Sequence, residues 1–291
     1  MSEQPPHIRP VEDAAASSDD DTGKVQKRAP LGRIHLPARS LIPNILTVLA
    51  LCAGLTAVRF GLDGRFEAAI IAVMIAALLD GLDGRVARLL KGETRFGAEL
   101  DSLTDFVNFG VVPALLLFIW TLEGAGGFGW VMALSYAICC GLRLARFNVA
   151  HDDPDRPLWM ASYFTGVPSP AGAMLVFVPF FAVFMGADWL LDVPVLTAVY
   201  TGLIGLLMVS SIPTYSFKRL RVRGDLVLPL LLVVALIAAS FATNPWESLL
   251  ALALSYAALL PLSYITFRRR LAKEPGYTLE EETEGPPISL D

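Results

Sequence analysis

Cysteine and histidine are scarce in this chain, three of each, and neither set forms a pattern. Cys52, Cys139 and Cys140 fall inside apolar segments, without pairing or metal-ligand spacing, so they read as small packing residues. His7, His35 and His151 do not cluster, which argues against a zinc site. Sustained period-two alternation is missing too, and with it the signature of a transmembrane barrel. The first residues lack a basic stretch followed directly by an apolar run, so no cleavable signal peptide is expected. Charge is thin as well. Asp, Glu, Lys and Arg make up 18% of the residues, and a soluble domain of this length would be less apolar.

What fills the chain is apolar sequence. Hydrophobic residues account for 54% of 291 positions, and the mean hydropathy is +0.56. Long apolar runs recur, the pattern of a polytopic helical membrane protein. Eight spans are predicted, near 41–60, 66–90, 98–121, 129–148, 163–186, 191–212, 224–242 and 246–267. About 20 residues at ~1.5 Å each cover a hydrocarbon core of ~30 Å. The fold class is therefore an all-α bundle of about eight transmembrane helices. The last two spans carry no charge in mid-membrane, so they are expected to complete the bundle rather than line a site.

The net charge of −5 conceals a basic body. Of 28 acids and 23 bases, residues 1–22 hold six acids and one base, and residues 274–291 hold six acids and no base; this leaves 16 acids and 22 bases between. The tails, 1–30 and 271–291, are rich in acids, Pro, Ser and Gly and are expected to be disordered. The domain between them runs over 31–270. Residues 23–40 are basic with interspersed aliphatics and suit an interface with anionic lipid. With eight spans, all the bases except Arg59 and Arg65 fall on one side, which assigns both termini to the cytoplasm. A bacterial inner membrane is the expected location, and no nucleic-acid partner is expected.

One stretch breaks the apolar monotony. Asp80, Asp83, Asp101 and Asp105 lie at the end of the second span and the start of the third. Carboxylates at a span are costly, and their default reading is a functional site. Asp80 and Asp83 are spaced i, i+3, and Asp101 and Asp105 i, i+4, so each pair projects from one helical face. Antiparallel neighbouring spans let the four converge, and converging carboxylates need a cation. An all-oxygen set suits Mg²⁺ or Mn²⁺, and Ca²⁺ as well. Gly81, Gly84 and Gly97 permit close backbone approach by a ligand or a neighbouring helix. Arg88, with Arg85, Lys91 and Arg95 near it, supplies charge for phosphate. Together these point to a pyrophosphate substrate. The pentapeptide GLDGR also occurs earlier, at 61–65, where nothing further follows it; that copy reads as a turn.

The full pattern is longer. Asp80-x-x-Asp83-Gly84-x-x-Ala87-Arg88, then eight residues, then Gly97-x-x-x-Asp101-x-x-x-Asp105 resembles the motif of the CDP-alcohol phosphatidyltransferases. The resemblance implies transfer of a phosphatidyl group from a CDP-linked lipid to an alcohol, with release of CMP. It implies that the four aspartates hold divalent metal, that Asp105 is also the general base, and that Gly84, Ala87 and Arg88 lie against the CMP moiety. Gly81 and Gly97, with Asn44 and Thr47 of the first span, are candidates to complete the CDP-lipid site. A homodimer is implied by the family alone.

The acceptor rests on other stretches. Pro43-Asn44, Gly141 to Asn148, Thr165 to Pro170 and Ser211 to Lys218 resemble the phosphatidylserine synthase branch, which implies CDP-diacylglycerol and L-serine as substrates. Arg143, Arg146, Asn148 and Lys218 are candidates for the acceptor or for phosphate; equally, the bases serve topology. Glycerol phosphate, inositol phosphate or choline is the alternative acceptor. A cation-coupled transporter is the rival from another class, disfavoured because the acids sit at one membrane face without a half-to-half repeat.

Overall fold

The structure, a computed structural model, describes residues 38–151, 163–215 and 227–271. The two acidic tails, the basic segment ahead of Ala38 and Lys218 lie outside the described residues. The regular structure is helical, apart from two strands of three residues each.

Helices α1 (Ala38–Leu62) and α2 (Phe66–Leu90) form a long hairpin. The turn between them is the first GLDGR, and Gly64 there has φ +72°, a left-handed conformation that glycine adopts without penalty. The second link is tighter. Lys91 ends α2 in the left-handed region at φ 49°, and the Gly92 N–H closes on the Ala87 carbonyl at 2.9 Å. The Thr94 hydroxyl then accepts from Gly97 N–H at 3.1 Å and caps α3 (Arg95–Phe106). Gly92 is indispensable sterically, because a Cβ there meets the Arg39 carbonyl oxygen at 2.6 Å. The α2–α3 link is thus pressed onto the start of α1.

After α3 the helix widens into a π-turn, Val107–Val111, and continues as α4 (Val112–Trp120). Pro113 causes part of this. It has no N–H for the Phe109 carbonyl four residues earlier, and the Tyr136 hydroxyl donates to that carbonyl at 2.8 Å instead. The same repair recurs. After α5 (Gly126–His151) and β1 (Tyr163–Thr165) come α6 (Ser169–Val176) and α7 (Val178–Phe184). Pro179 leaves the Leu175 carbonyl without its helical donor, and the hydroxyl of Tyr200 in α8 (Pro194–Val209) supplies one at 2.6 Å. At Pro113 and Pro179 the orphaned carbonyl is met by a tyrosine from a neighbouring helix, as buried backbone carbonyls require.

Strand β2 (Pro213–Tyr215) pairs antiparallel with β1. α9 (Val227–Thr243) and α10 (Pro245–Leu271) complete the chain. This ladder corrects the sequence reading of helix running through 163–186. The chain enters that region as a strand, and the helix behind it breaks at Phe177. Small residues set the helix spacing: a Cβ on Gly205 of α8 meets the Tyr136 Cα at 3.0 Å, so α5 and α8 approach backbone to backbone. A ring cluster of Trp120, Phe180, Phe184 and Trp246 ties α4, α7 and α10, with Trp120 stacked on Phe180 at 3.9 Å.

The outside of the helices is apolar. Leu78, Leu103 and Leu206 are 64–66% exposed, where a protein facing water places charge. Four helices are long and apolar enough to cross a membrane: Arg39–Leu62, Arg95–Trp120, Leu122–Val149 and Pro245–Thr266. Ser169–Phe184, Pro194–Val209 and Leu228–Thr243 are shorter apolar helices. α2 has the length, but its second half carries Asp80, Asp83, Arg85 and Arg88. The chain is an integral membrane protein.

Candidate active site

The hairpin of α2 and α3 brings the acids together. Asp80 from α2 and Asp101 and Asp105 from α3 each offer a carboxylate oxygen, and these atoms lie within 4.8 Å of one another. The i, i+4 spacing on α3 and the short link after α2 produce that convergence. All three are partly buried. Asp80 Oδ1 is buried and makes no hydrogen bond among the described residues. A buried carboxylate oxygen without a donor, beside two further carboxylates, is an arrangement that a hard cation satisfies and that like charges alone do not. The donor set therefore fits a divalent metal.

Asp83 stands apart from that group of three. It is 3% exposed, and its Oδ2 accepts from the Thr47 hydroxyl at 2.6 Å. Thr47 is buried on α1 and also lies 3.1 Å from the Pro43 carbonyl. The first helix thus orients the fourth acid, a role that the sequence did not reveal. Asn44, one turn earlier, packs on the start of α3. A Cβ on Gly97 meets the Asn44 Oδ1 at 2.9 Å, and the Asn44 Nδ2 is buried without a hydrogen-bond partner.

The motif glycines divide into two kinds. Gly97 is needed for contact between α1 and α3. At Gly81 and Gly84 a Cβ meets nothing within 4 Å. No protein neighbour demands glycine there, which leaves room for a ligand against the α2 backbone. Ala87 is half-buried and Arg88 exposed further along α2.

On α5 the three polar candidates separate. Arg143 turns inward and is 8% exposed; its Nη1 donates to the Ser169 hydroxyl at 2.6 Å, while its Nε is buried without a partner. Its positive charge acts on Asp105. Arg146 is exposed and donates to the Ser210 carbonyl at 3.2 Å, bracing α5 against the end of α8. Asn148 is exposed and donates to the Ser102 hydroxyl at 3.1 Å, bracing α5 against α3. Only Arg143 joins the neighbourhood of the carboxylates.

A family model for CDP-alcohol phosphatidyltransferase matches residues 40–271, which contain this whole arrangement. The chain belongs to the CDP-alcohol phosphatidyltransferase family. A CDP-diacylglycerol–serine O-phosphatidyltransferase of Mycobacterium bovis is 40% identical over 237 residues, covering 81% of this chain and 82% of the relative. The protein of that name from Helicobacter pylori is 32% identical over 200 residues, 68% of this chain and 81% of its own length. One from Methanocaldococcus jannaschii is 34% identical over 179 residues, 61% of this chain and 76% of its own.

Sequence reasoning missed three features of this family member's site. Ser169 lies at the start of α6 and holds Arg143. Asn108, in the π-turn one helical turn past Asp105, is fully buried with neither amide atom hydrogen-bonded, and it fills the space left by Gly54 on α1. Tyr256 of α10 stands beside Thr214 of β2 and within electrostatic reach of Arg143, although the last two spans were expected to complete the bundle or its oligomer contact. Asn108 left a trace in the sequence as an amide in an apolar run, and Ser169 falls within the stretch Thr165 to Pro170.

Proposed function

We propose that this protein transfers the phosphatidyl group of CDP-diacylglycerol to the hydroxyl of L-serine, giving phosphatidylserine and CMP. The observation that carries the reading is the trio of Asp80, Asp101 and Asp105, with oxygens within 4.8 Å, beside two glycines whose outer face is open. Relatives that bear the name of this reaction support serine as acceptor.

The chain's own groups divide the work. Gly81 and Gly84 let the pyrophosphate lie against α2, with Ala87 and Arg88 toward the nucleotide and Asn44 Nδ2 as a spare donor. Asp83 is fixed by Thr47 and completes the acidic set; Gly97 keeps α1 and α3 close enough for this. When bound, a divalent cation held by Asp80, Asp83, Asp101 and Asp105, Mg²⁺ or Mn²⁺ with Ca²⁺ also compatible, neutralises charge on the phosphate oxygens. Asp105 accepts the proton of the serine hydroxyl as its oxygen bonds to the phosphatidyl phosphorus. The bond from that phosphorus to the CMP oxygen breaks, and CMP leaves with the electron pair. Arg143 holds the acceptor or a phosphate oxygen. Arg146 and Asn148 brace that region from α5, and Lys218 is a further candidate for the acceptor or a phosphate.

On this reading the protein is an eight-span bundle of a bacterial inner membrane, with the site and both termini cytoplasmic, and it works as a homodimer. The sorting of basic residues supports this orientation. The test is purified protein with CDP-diacylglycerol, divalent metal and a panel of alcohols, scored by CMP release. Serine is expected to give the highest kcat/KM; preference for a phosphorylated alcohol or an inositol refutes the acceptor assignment.

A further inference from the structure

Asp105 stands at the edge of the π-turn, and the turn is costly. A helical turn widened by one residue is rare and occurs mostly at functional sites. Here the Val112 N–H reaches back five residues to the Val107 carbonyl. Within the turn, Asn108 is fully buried with neither amide atom hydrogen-bonded, and the Phe109 carbonyl has lost the N–H that Pro113 lacks. Both residues follow Asp105 within one turn of helix. Buried groups left in this way call for an explanation.

The explanation begins with register. Asn108, Val112 and Leu116 all face the glycines of α1. A Cβ on Gly54 meets the Asn108 Oδ1 and lies 3.7 Å from the Val112 Cγ2, and one on Gly61 meets the Leu116 Cδ2 at 2.5 Å. Their spacing is four. An α-helix gains about 40° over four residues, so a regular helix would carry Leu116 about 80° away from the face of Asn108. The wide turn absorbs rotation of that kind. It lets α4 keep its seat on α1 while α3, ahead of the turn, brings Asp101 and Asp105 to Asp80.

Helix α5 holds the turn in this shape. Tyr136 is fully buried, and its hydroxyl donates to the Phe109 carbonyl at 2.8 Å. Phe106, the residue after Asp105, is gripped by the same helix: a Cβ on Gly141 meets its Cε2 at 3.1 Å, and one on Gly110 of the turn meets its Cδ2 at 3.3 Å. The direction of Asp105 is therefore set from α5, through the turn that follows it. Without the Tyr136 hydroxyl the turn loses a bond that favours its wide form.

We infer that Tyr136 is a positioning residue for Asp105. The inference rests on the reading of Asp105 as the general base. The tyrosine hydroxyl is spent on backbone, so it acts through the turn and not on the reacting atoms. A base displaced by a fraction of an ångström still leaves lipid and acceptor bound, so the loss falls on turnover rather than on KM.

The experiment compares wild type, Tyr136→Phe, Asp105→Asn and the double variant by CMP release at saturating Mg²⁺, with thermal unfolding of each preparation in detergent. Tyr136→Phe is expected to lower kcat about 10- to 100-fold, with the KM for each substrate within about twofold of wild type. Added to Asp105→Asn, the same change is expected to cost less than about threefold, because the group that Tyr136 positions is already gone. Tyr200→Phe is the control. It makes the parallel deletion at the Leu175 carbonyl, between helices that carry none of the carboxylates, and it is expected to lose comparable stability and keep kcat. Gly141→Ala crowds Phe106 and leaves the Tyr136 hydroxyl in place; it is expected to repeat the kcat loss, and it decides the matter if Tyr136→Phe does not fold. An unchanged kcat in Tyr136→Phe, an equal loss with and without the Asp105 carboxylate, or an equal loss in Tyr200→Phe overturns this inference and leaves Asp105 as the base. Turnover near wild type in Asp105→Asn overturns the base reading and this inference with it.

Discussion

Gly84→Ala separates what the fold needs from what the ligand needs. The residue lies inside α2, where glycine is disfavoured relative to alanine by about 1 kcal/mol. A Cβ there meets nothing within 4 Å, so the variant gains helix propensity without a clash. Stability is expected to rise by up to ~1 kcal/mol, a shift of about 2–4 °C in thermal midpoint by analogy with soluble domains of similar size. Activity is expected to move the other way. If the pyrophosphate lies on this backbone, a methyl group intrudes into a filled contact, and overpacking of that kind costs about 1–3 kcal/mol, or roughly 5- to 150-fold in affinity. The assay is CMP release against CDP-diacylglycerol concentration, with thermal unfolding of the same preparation in detergent. Gly97→Ala is the contrast, because its Cβ meets the Asn44 Oδ1 at 2.9 Å and the Thr94 Oγ1 at 3.2 Å; both stability and activity are expected to fall. A Gly84→Ala protein that is more stable and keeps its KM for CDP-diacylglycerol refutes the claim that α2 offers its backbone to the ligand.

Asp105→Asn is expected to lower kcat by about 10²- to 10⁴-fold while CDP-diacylglycerol still binds; turnover within a few-fold of wild type removes Asp105 as the base. Chelation with EDTA is expected to stop CMP release, and added Mg²⁺ or Mn²⁺ to restore it; a rate indifferent to EDTA counts against the cation. Tyr136→Phe and Tyr200→Phe each strip the donor from a carbonyl opposite a proline, and each is expected to lower stability by about 1–3 kcal/mol. Equilibrium unfolding in mixed micelles measures this, and two unaffected variants show that the carbonyls find other donors. Thr47→Val leaves the shape of the α1 contact intact but removes the hydroxyl 2.6 Å from Asp83; the KM for CDP-diacylglycerol is expected to rise, and an unchanged value shows that Asp83 needs no orienting partner.

The carboxylate trio was legible because its information is local. Spacings of three and four residues on helices, with a short link between them, place Asp80, Asp101 and Asp105 together through geometry that any helical hairpin shares. The positions of α1, α2 and the α3–α4 pair were legible for a similar reason, since long apolar runs between charged ends leave little freedom in a membrane. The ladder of β1 and β2 was not. Each strand is three residues long, and residues 163–165 and 213–215 are far apart in the chain. No periodicity survives in so short a segment, so the helix was extended over it. The break at Phe177 was hidden in the same way: Pro179 announces a missing N–H, but not whether a neighbour repairs it.

Arg143, Arg146 and Asn148 show where sequence reasoning on charge reaches its limit. All three lie near the end of α5, within one and a half turns, and positive-inside topology accounts for the two arginines equally well. Spacing predicts that 143 and 146 share a face. What separates them is the partner each meets: Ser169 at the start of α6 for the first, and the Ser210 carbonyl after α8 for the second. Burial then separates their functions. Arg146 braces two helices from an exposed position, where a hydrogen bond contributes little. Arg143 is enclosed, keeps its Nε unspent, and lies within electrostatic reach of Asp105. Topology needs only a charge outside the hydrocarbon, and an exposed side chain meets that need. A buried guanidinium fixed by a serine and left with a spare N–H is more than topology requires. That excess is the physical reason to propose Arg143, and not its neighbours, as the group that meets the acceptor.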